Sequence, residues 1–123
     1  MFASIDKSNF PVVRITFSDD IDETSFNDFL NEWRQLYREK KEFSFIFDTI
    51  NMGFPPISYC YLMIQFLQSM KSQKKHYLKN STIIVPNDYL IYLLNVIFMV
   101  ESPISDVTVI NSEGVLLNKY KAM

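Results

Sequence analysis

The sequence predicts an α/β domain: a mixed, mostly parallel sheet of four to five strands with three to four helices, in two or three layers. Three observations predict it. Short aromatic or β-branched runs recur along the chain, at Phe10–Phe17, Phe43–Phe47, Ser81–Val85 and Val107–Ile110. The intervals between them hold residues with helical apolar spacing. The most apolar run, Phe43-Ser44-Phe45-Ile46-Phe47, is broken only by Ser44, which predicts a strand inside the sheet with helices over both of its faces.

Taken in order, residues 1–9 are mixed and are expected either to pair as a short edge strand or to stay loose. Residues 10–112 form the single domain, and residues 113–123 a tail. In the first clear strand, Val13, Ile15 and Phe17 share one face and Val12, Arg14 and Thr16 the other, with Pro11 at the start where a missing donor does least harm. An acidic stretch, Asp19, Asp20, Asp22 and Glu23, leads into a helix with Phe26, Phe29, Leu30, Trp33, Leu36 and Tyr37 at helical spacing. Ser25 with Asp28 resembles a capping box, and Asp22 is an equally good cap. Acids at the start and Arg38, Lys40 and Lys41 at the end suit the helix dipole.

Asp48 and Thr49 mark the exit of the central strand. A second helix is expected from Pro56 to about Ser72, because proline suits a first turn whose amides lack partners. It carries two apolar stripes. One holds Ile57, Cys60, Tyr61, Ile64 and Leu67, the other Tyr59, Leu62, Met63, Phe66 and Met70, with an uncharged stripe of Ser58, Gln65, Gln68, Ser69 and Ser72 between them. One stripe covers the sheet, and the second needs a neighbour, a ligand or a partner. A basic connector, Lys71 to Lys79, precedes the third strand. Asn87 or Asp88 then caps a third helix, Tyr89–Met99, apolar nearly all round and therefore deeply buried or at an interface. Glu113-Gly114 marks a turn, and the tail beyond it is expected to form a short helix.

Composition narrows the function classes. With 123 residues, 48% of them apolar, the chain is long enough for a core without staples. A net charge of −2 supplies no field to draw nucleic acid, so no nucleic-acid partner is expected. The single cysteine, Cys60, forms no internal disulfide, and the first residues lack the pattern of a signal peptide; a cytoplasmic location is expected. Neither the uncharged Thr49–Met70 run, broken by Gly53 and two prolines, nor the short Tyr89–Val100 block fits a transmembrane segment.

Chemistry-bearing residues are sparse. His76, the only histidine, sits among lysines and reads as a solvated connector residue, while Cys60 lies on an apolar stripe and reads as core. The acidic cluster lacks the spacing and glycine of a calcium loop, and Gly53 stands alone in the central loops, so no phosphate-cradling loop is expected. No catalytic constellation, metal site or cofactor is therefore expected. Asp48 sits where α/β sheets place ligand groups, although a carboxylate there also bonds the amides of the following loop. Lys71, Lys74, Lys75 and Lys79 are the candidate contacts for an anion, such as a lipid headgroup or an acidic partner.

The order of elements resembles the SpoIIAA-like fold of STAS domains, the anti-sigma-factor antagonists and their relatives, which CRAL-TRIO lipid-transfer domains share. Phe43-Ser44-Phe45-Ile46-Phe47-Asp48 is similar to the apolar strand ending in Asp of both families, and Tyr77 to Leu90 resembles the CRAL-TRIO passage from a basic loop through a strand into a helix. STAS antagonists carry Asp-Ser-x-Gly with a phosphorylated serine at the corner after the central strand. That corner here reads Asn51-Met52-Gly53-Phe54-Pro55-Pro56-Ile57-Ser58, which leaves Asp48, Thr49 and Ser58 as the candidate regulatory corner.

The STAS resemblance implies a non-enzymatic regulatory or scaffolding module that works through protein contact, as a homodimer or with another protein. The CRAL-TRIO resemblance implies the alternative, a small carrier of a lipid or other apolar ligand. Tyr59, Met63, Phe66, Tyr92, Leu93, Val96 and Met99, all on the second and third helices, are the candidate contact or ligand surface.

Overall fold

In the computed structural model, which describes all 123 residues, the Phe43–Asp48 run is strand β3, with β2 (Val12–Phe17) and β4 (Leu78–Ile84) paired parallel on either side. β5 (Asp106–Ile110) continues the parallel set beyond β4. Antiparallel β1 (Ala3–Asp6) and β6 (Leu116–Tyr120) close the two edges, so the sheet has six strands in sequence order. The first residues thus take the edge-strand alternative. The tail is a strand rather than the expected helix, because the turn at Glu113-Gly114 returns the chain along β5, with Gly114 at φ 82°.

Alternation along the strands explains the layering. Phe43, Phe45 and Phe47 are buried while Ser44, Ile46 and Asp48 are half-buried, and the same division separates Val13, Ile15 and Phe17 from Val12, Arg14 and Thr16. Helices α1 (Glu23–Arg38), α2 (Ser58–Met70) and α3 (Asp88–Val100) all pack on the first of these faces. The expectation of helices on both faces is therefore corrected to two layers with one open sheet face. Each βαβ step moves one strand in the same direction, and connections of one hand then keep every helix on one side.

The three helices and the inward strand residues share a single core, and much of it is aromatic. Trp33 meets Phe45 and Phe66 edge-on at ring distances of 5.0 and 4.9 Å, and Phe29 meets Phe17 and Phe47 edge-on. Such pairs hold the α1 to α2 seam on β3 by area burial plus ring geometry. On the other flank, Tyr120 of β6 packs against Phe98 of α3 at 4.7 Å and its hydroxyl bonds Asn95.

The caps follow the sequence in part. Asp22 is the N-cap of α1, accepting from the Ser25 amide at 2.7 Å while Ser25 Oγ accepts from the Asp22 amide, so the reciprocal partner is Ser25 and not Asp28. Asn87, at the N-cap of α3, accepts from the Leu90 amide. α2 begins two residues later than expected, with no side-chain cap at Ile57. Gly53 takes φ 74° in the loop before it, where a Cβ would lie 3.3 Å from Asp19 Cβ. No helix is long and apolar enough to cross a membrane.

Candidate functional site

α2 and α3 lie side by side over the sheet, and three contacts fix them to each other and to the preceding loop. Cys60 Sγ reaches the Leu93 carbonyl at 3.7 Å, the Tyr89 hydroxyl donates to the Pro55 carbonyl at 2.6 Å, and Lys71 Nζ bonds both Glu101 and Ser102 at the far end. Thirteen residues long each, the two helices carry between them one charged residue, Asp88, at the first position of α3.

Their outward side mixes exposed apolar and uncharged polar groups, with Asp88 its one charge. Tyr61 is 71% exposed, Tyr92 52% and Met99 85%, with Phe54 and Ile57 exposed ahead of α2 and Val100 at the end of α3. Phe54, Tyr89 and Tyr92 follow one another as tilted rings 5.5 and 6.4 Å apart. Ser58, Gln65, Gln68, Ser69, Asp88 and Asn95 are the exposed polar groups among them. α1 differs: its outer side carries Asp28, Glu32 and Arg38, as a solvated helix should. Tyrosine and methionine are among the residues enriched at interface cores.

The expected contact residues divide. Tyr92 and Met99 are on the outward side, and Tyr59, Met63 and Val96 are half-buried. Phe66 and Leu93 are core residues, 2% and 7% exposed, so neither serves an outward contact, while Leu93 joins Tyr59 and Met63 in lining the apolar cavity between helices and sheet. Tyr61 and Ile57 share an expected apolar stripe with Cys60, Ile64 and Leu67, and are exposed while those three are buried. Tyr61 lies three residues after Ser58 and four before Gln65, within the uncharged stripe, which is the signal that marks it as outward.

At the candidate regulatory corner, Asp48 accepts from Arg14 at 2.7 Å and from the Ile50 amide at 3.2 Å, so it holds the open sheet face and the following loop. Thr49 is buried and donates to the Ile84 carbonyl at 2.6 Å, which closes it to modification in this fold. Ser58 is exposed at the first position of α2.

The lysines are engaged with different partners. Lys71 is tied to Glu101 and Ser102, Lys79 pairs with Glu42 at 3.3 Å, and Lys75 lies 5.4 Å from the Tyr77 ring. Lys74 is exposed. His76 is half-buried rather than freely solvated, with Nδ1 3.0 Å from the Tyr37 hydroxyl, whose pKa burial raises. Cys60 is a core residue; burial pushes its thiol pKa up and keeps it a thiol rather than a nucleophile. No three His, Cys, Asp or Glu side chains gather as a metal site.

Between the helices and the sheet lies an apolar cavity of about 160 Å³, its wall shared by all three helices and including Phe29, Trp33, Phe47, Cys60, Leu93 and Val107. Two buried polar atoms on residues that line it, Trp33 Nε1 and Ser105 Oγ, lack hydrogen-bond partners. Sequence reading places Trp33 in the core but carries no sign of the missing acceptor, which depends on what β3 and α2 set around the ring. Compared with known proteins, the chain matches no family model, no curated protein and no solved structure.

Proposed function

We propose that this chain is a STAS-like, SpoIIAA-like module of regulatory or scaffolding type, non-enzymatic and cytoplasmic, that works by protein contact through the outward side of α2 and α3. The observation that supports this reading is the pair of adjacent helices whose exposed side presents Tyr61, Tyr92 and Met99 with no charge beyond Asp88. Soluble monomers rarely leave such a patch open to water. The sequential βα winding, with its helices on one side, is in keeping with the resemblance but does not by itself carry it.

The partner proposed is a second copy of the chain. A patch whose one charge, Asp88, stands at its end meets its own two-fold image with little like-charge repulsion, which an isologous dimer requires. Sedimentation and native mass spectrometry at tens of micromolar test this. The native chain is expected to be dimeric with a thermal midpoint that rises with concentration, and Tyr61→Glu combined with Tyr92→Glu monomeric, folded by circular dichroism and with a midpoint independent of concentration. A native chain that stays monomeric would sink the homodimer.

The alternative, a lipid carrier, finds its support in the apolar cavity. Pockets for ligands of that size run to about 300–1,000 Å³, however, and the cavity is about 160 Å³. The contact reading is therefore preferred.

A further inference from the structure

We propose that the cavity between helices and sheet is a binding site for a compact hydrocarbon the size of benzene or toluene, an aromatic ring or short branched chain that carries no hydrogen-bonding group. This goes beyond the contact reading and uses a different part of the molecule. The cavity, about 160 Å³, is small for a lipid but matches in size the apolar cavities of about 150 Å³ that take up benzene. Phe29, Phe47 and Leu67 on its wall suit a ring-shaped occupant. Met52 and Met63, both half-exposed, line it as well, and their flexible side chains give way to an entering molecule.

The wall itself excludes polar ligands. Trp33 Nε1 and Ser105 Oγ, though unpartnered, are buried against protein and offer nothing to a molecule in the cavity. Thr49 Oγ1 is spent on the Ile84 carbonyl. What remains is almost wholly apolar, so a ligand hydroxyl or carbonyl inside it would lose its water without gaining a partner. A hydrocarbon loses nothing of that kind and gives the wall atoms dispersion partners across the space. The competing account gives the site to a polar ligand bonded by Ser81, the other buried polar residue on the wall.

The six methionines give six ε-methyl resonances when labelled with ¹³C, and their positions divide usefully. Met52 and Met63 line the cavity, whereas Met99 is exposed on the outward side of α3 and Met1 and Met123 at the ends of the chain. Titration with toluene is expected to saturate and to move the Met52 and Met63 methyls by ring current while Met1, Met99 and Met123 stay in place. Phenol, in which a hydroxyl replaces the methyl group, is expected to bind about tenfold weaker or worse, because its hydroxyl gives up water for an apolar wall. Val107→Phe, which adds a ring to the wall from β5, should abolish saturable binding of toluene. The two titrations of the native chain decide the matter even where that variant fails to fold. Toluene shifts confined to Met99 would put the ring on the outward patch, and phenol binding as tightly as toluene would favour the Ser81 account. Either result, or a toluene titration that does not saturate, overturns the proposal.

Discussion

Lys40 follows the last turn of α1 at φ 56°, a left-handed conformation in which a side chain costs energy and glycine does not. Its side chain is exposed, so little else depends on it. Lys40→Gly is expected to raise stability by about 0.5–1 kcal/mol in urea denaturation, the gain being limited by the looser unfolded chain. At the other end of α1, hydrogen bonds from Ser25 hold the Asp22 carboxyl below its ordinary range. A depressed folded pKa stabilises above the unfolded value and loses that contribution as pH falls through the folded one. The stability difference between the native chain and Asp22→Asn should therefore be larger at pH 6 than at pH 2.5. A difference that does not change between those two values would show that the charge on Asp22 adds nothing to the cap.

At the scale of elements, α2 and α3 each have one side in the core and one facing out, and substitution should separate the sides. Leu93→Ala, 7% exposed in the native chain, is expected to cost about 2–5 kcal/mol as a cavity opens beneath α3. Tyr92→Ala, its neighbour in sequence, should change monomer stability by no more than about 0.5 kcal/mol. Urea denaturation at a concentration low enough to keep the chain monomeric measures both. The far end of the pair rests on Lys71, which reaches Glu101 and Ser102 from the C-cap of α2. A double-mutant cycle between Lys71→Ala and Glu101→Ala should return a coupling near the top of the range for partly exposed pairs, about 1 kcal/mol. A coupling near zero would mean that the Cys60 and Tyr89 contacts alone hold the helices together.

For the whole molecule, the six strands share one covered face and one open face. β3 and β4 have a paired strand on each side and helices above them, while β6 is an edge with Leu116 and Leu117 half in water. Amide exchange should accordingly be slowest in β3 and β4, at the rate of global unfolding, and fastest among the strands in β6. Protection of β6 equal to that of β3 would show that the edge opens only with the whole fold. The open face carries the half-buried Arg14 to Asp48 pair and a set of Ile and Thr residues, Ile46, Thr82, Ile84, Thr108 and Ile110. It is mixed in character, which is how one side of a sheet tolerates water.

Much of this was legible along the chain, because periodicity is a local property. The three helices, the four inner strands, the caps at Asp22 and Asn87 and the core role of Cys60 follow from spacing and residue type, which burial and hydrogen bonding then reward in the expected way. Ser44 and Asp48 within β3, and Arg14 and Thr16 within β2, even mark the face that stays open. What only the tertiary structure decided depends on which neighbour each residue meets. The order in which strands dock placed every helix on one side, and the return of the chain along β5 turned the tail into a strand. Lys71 and Lys79 went to carboxylates far away in sequence, Thr49 to a carbonyl of β4, and His76 to Tyr37. Phe66 and Leu93 sank into the core while Tyr61 turned outward, since an apolar helix can rotate either side toward a sheet and only packing chooses. The orphaned indole of Trp33 has the same origin: a missing partner is a fact about surroundings, and sequence specifies a donor without specifying what stands opposite it.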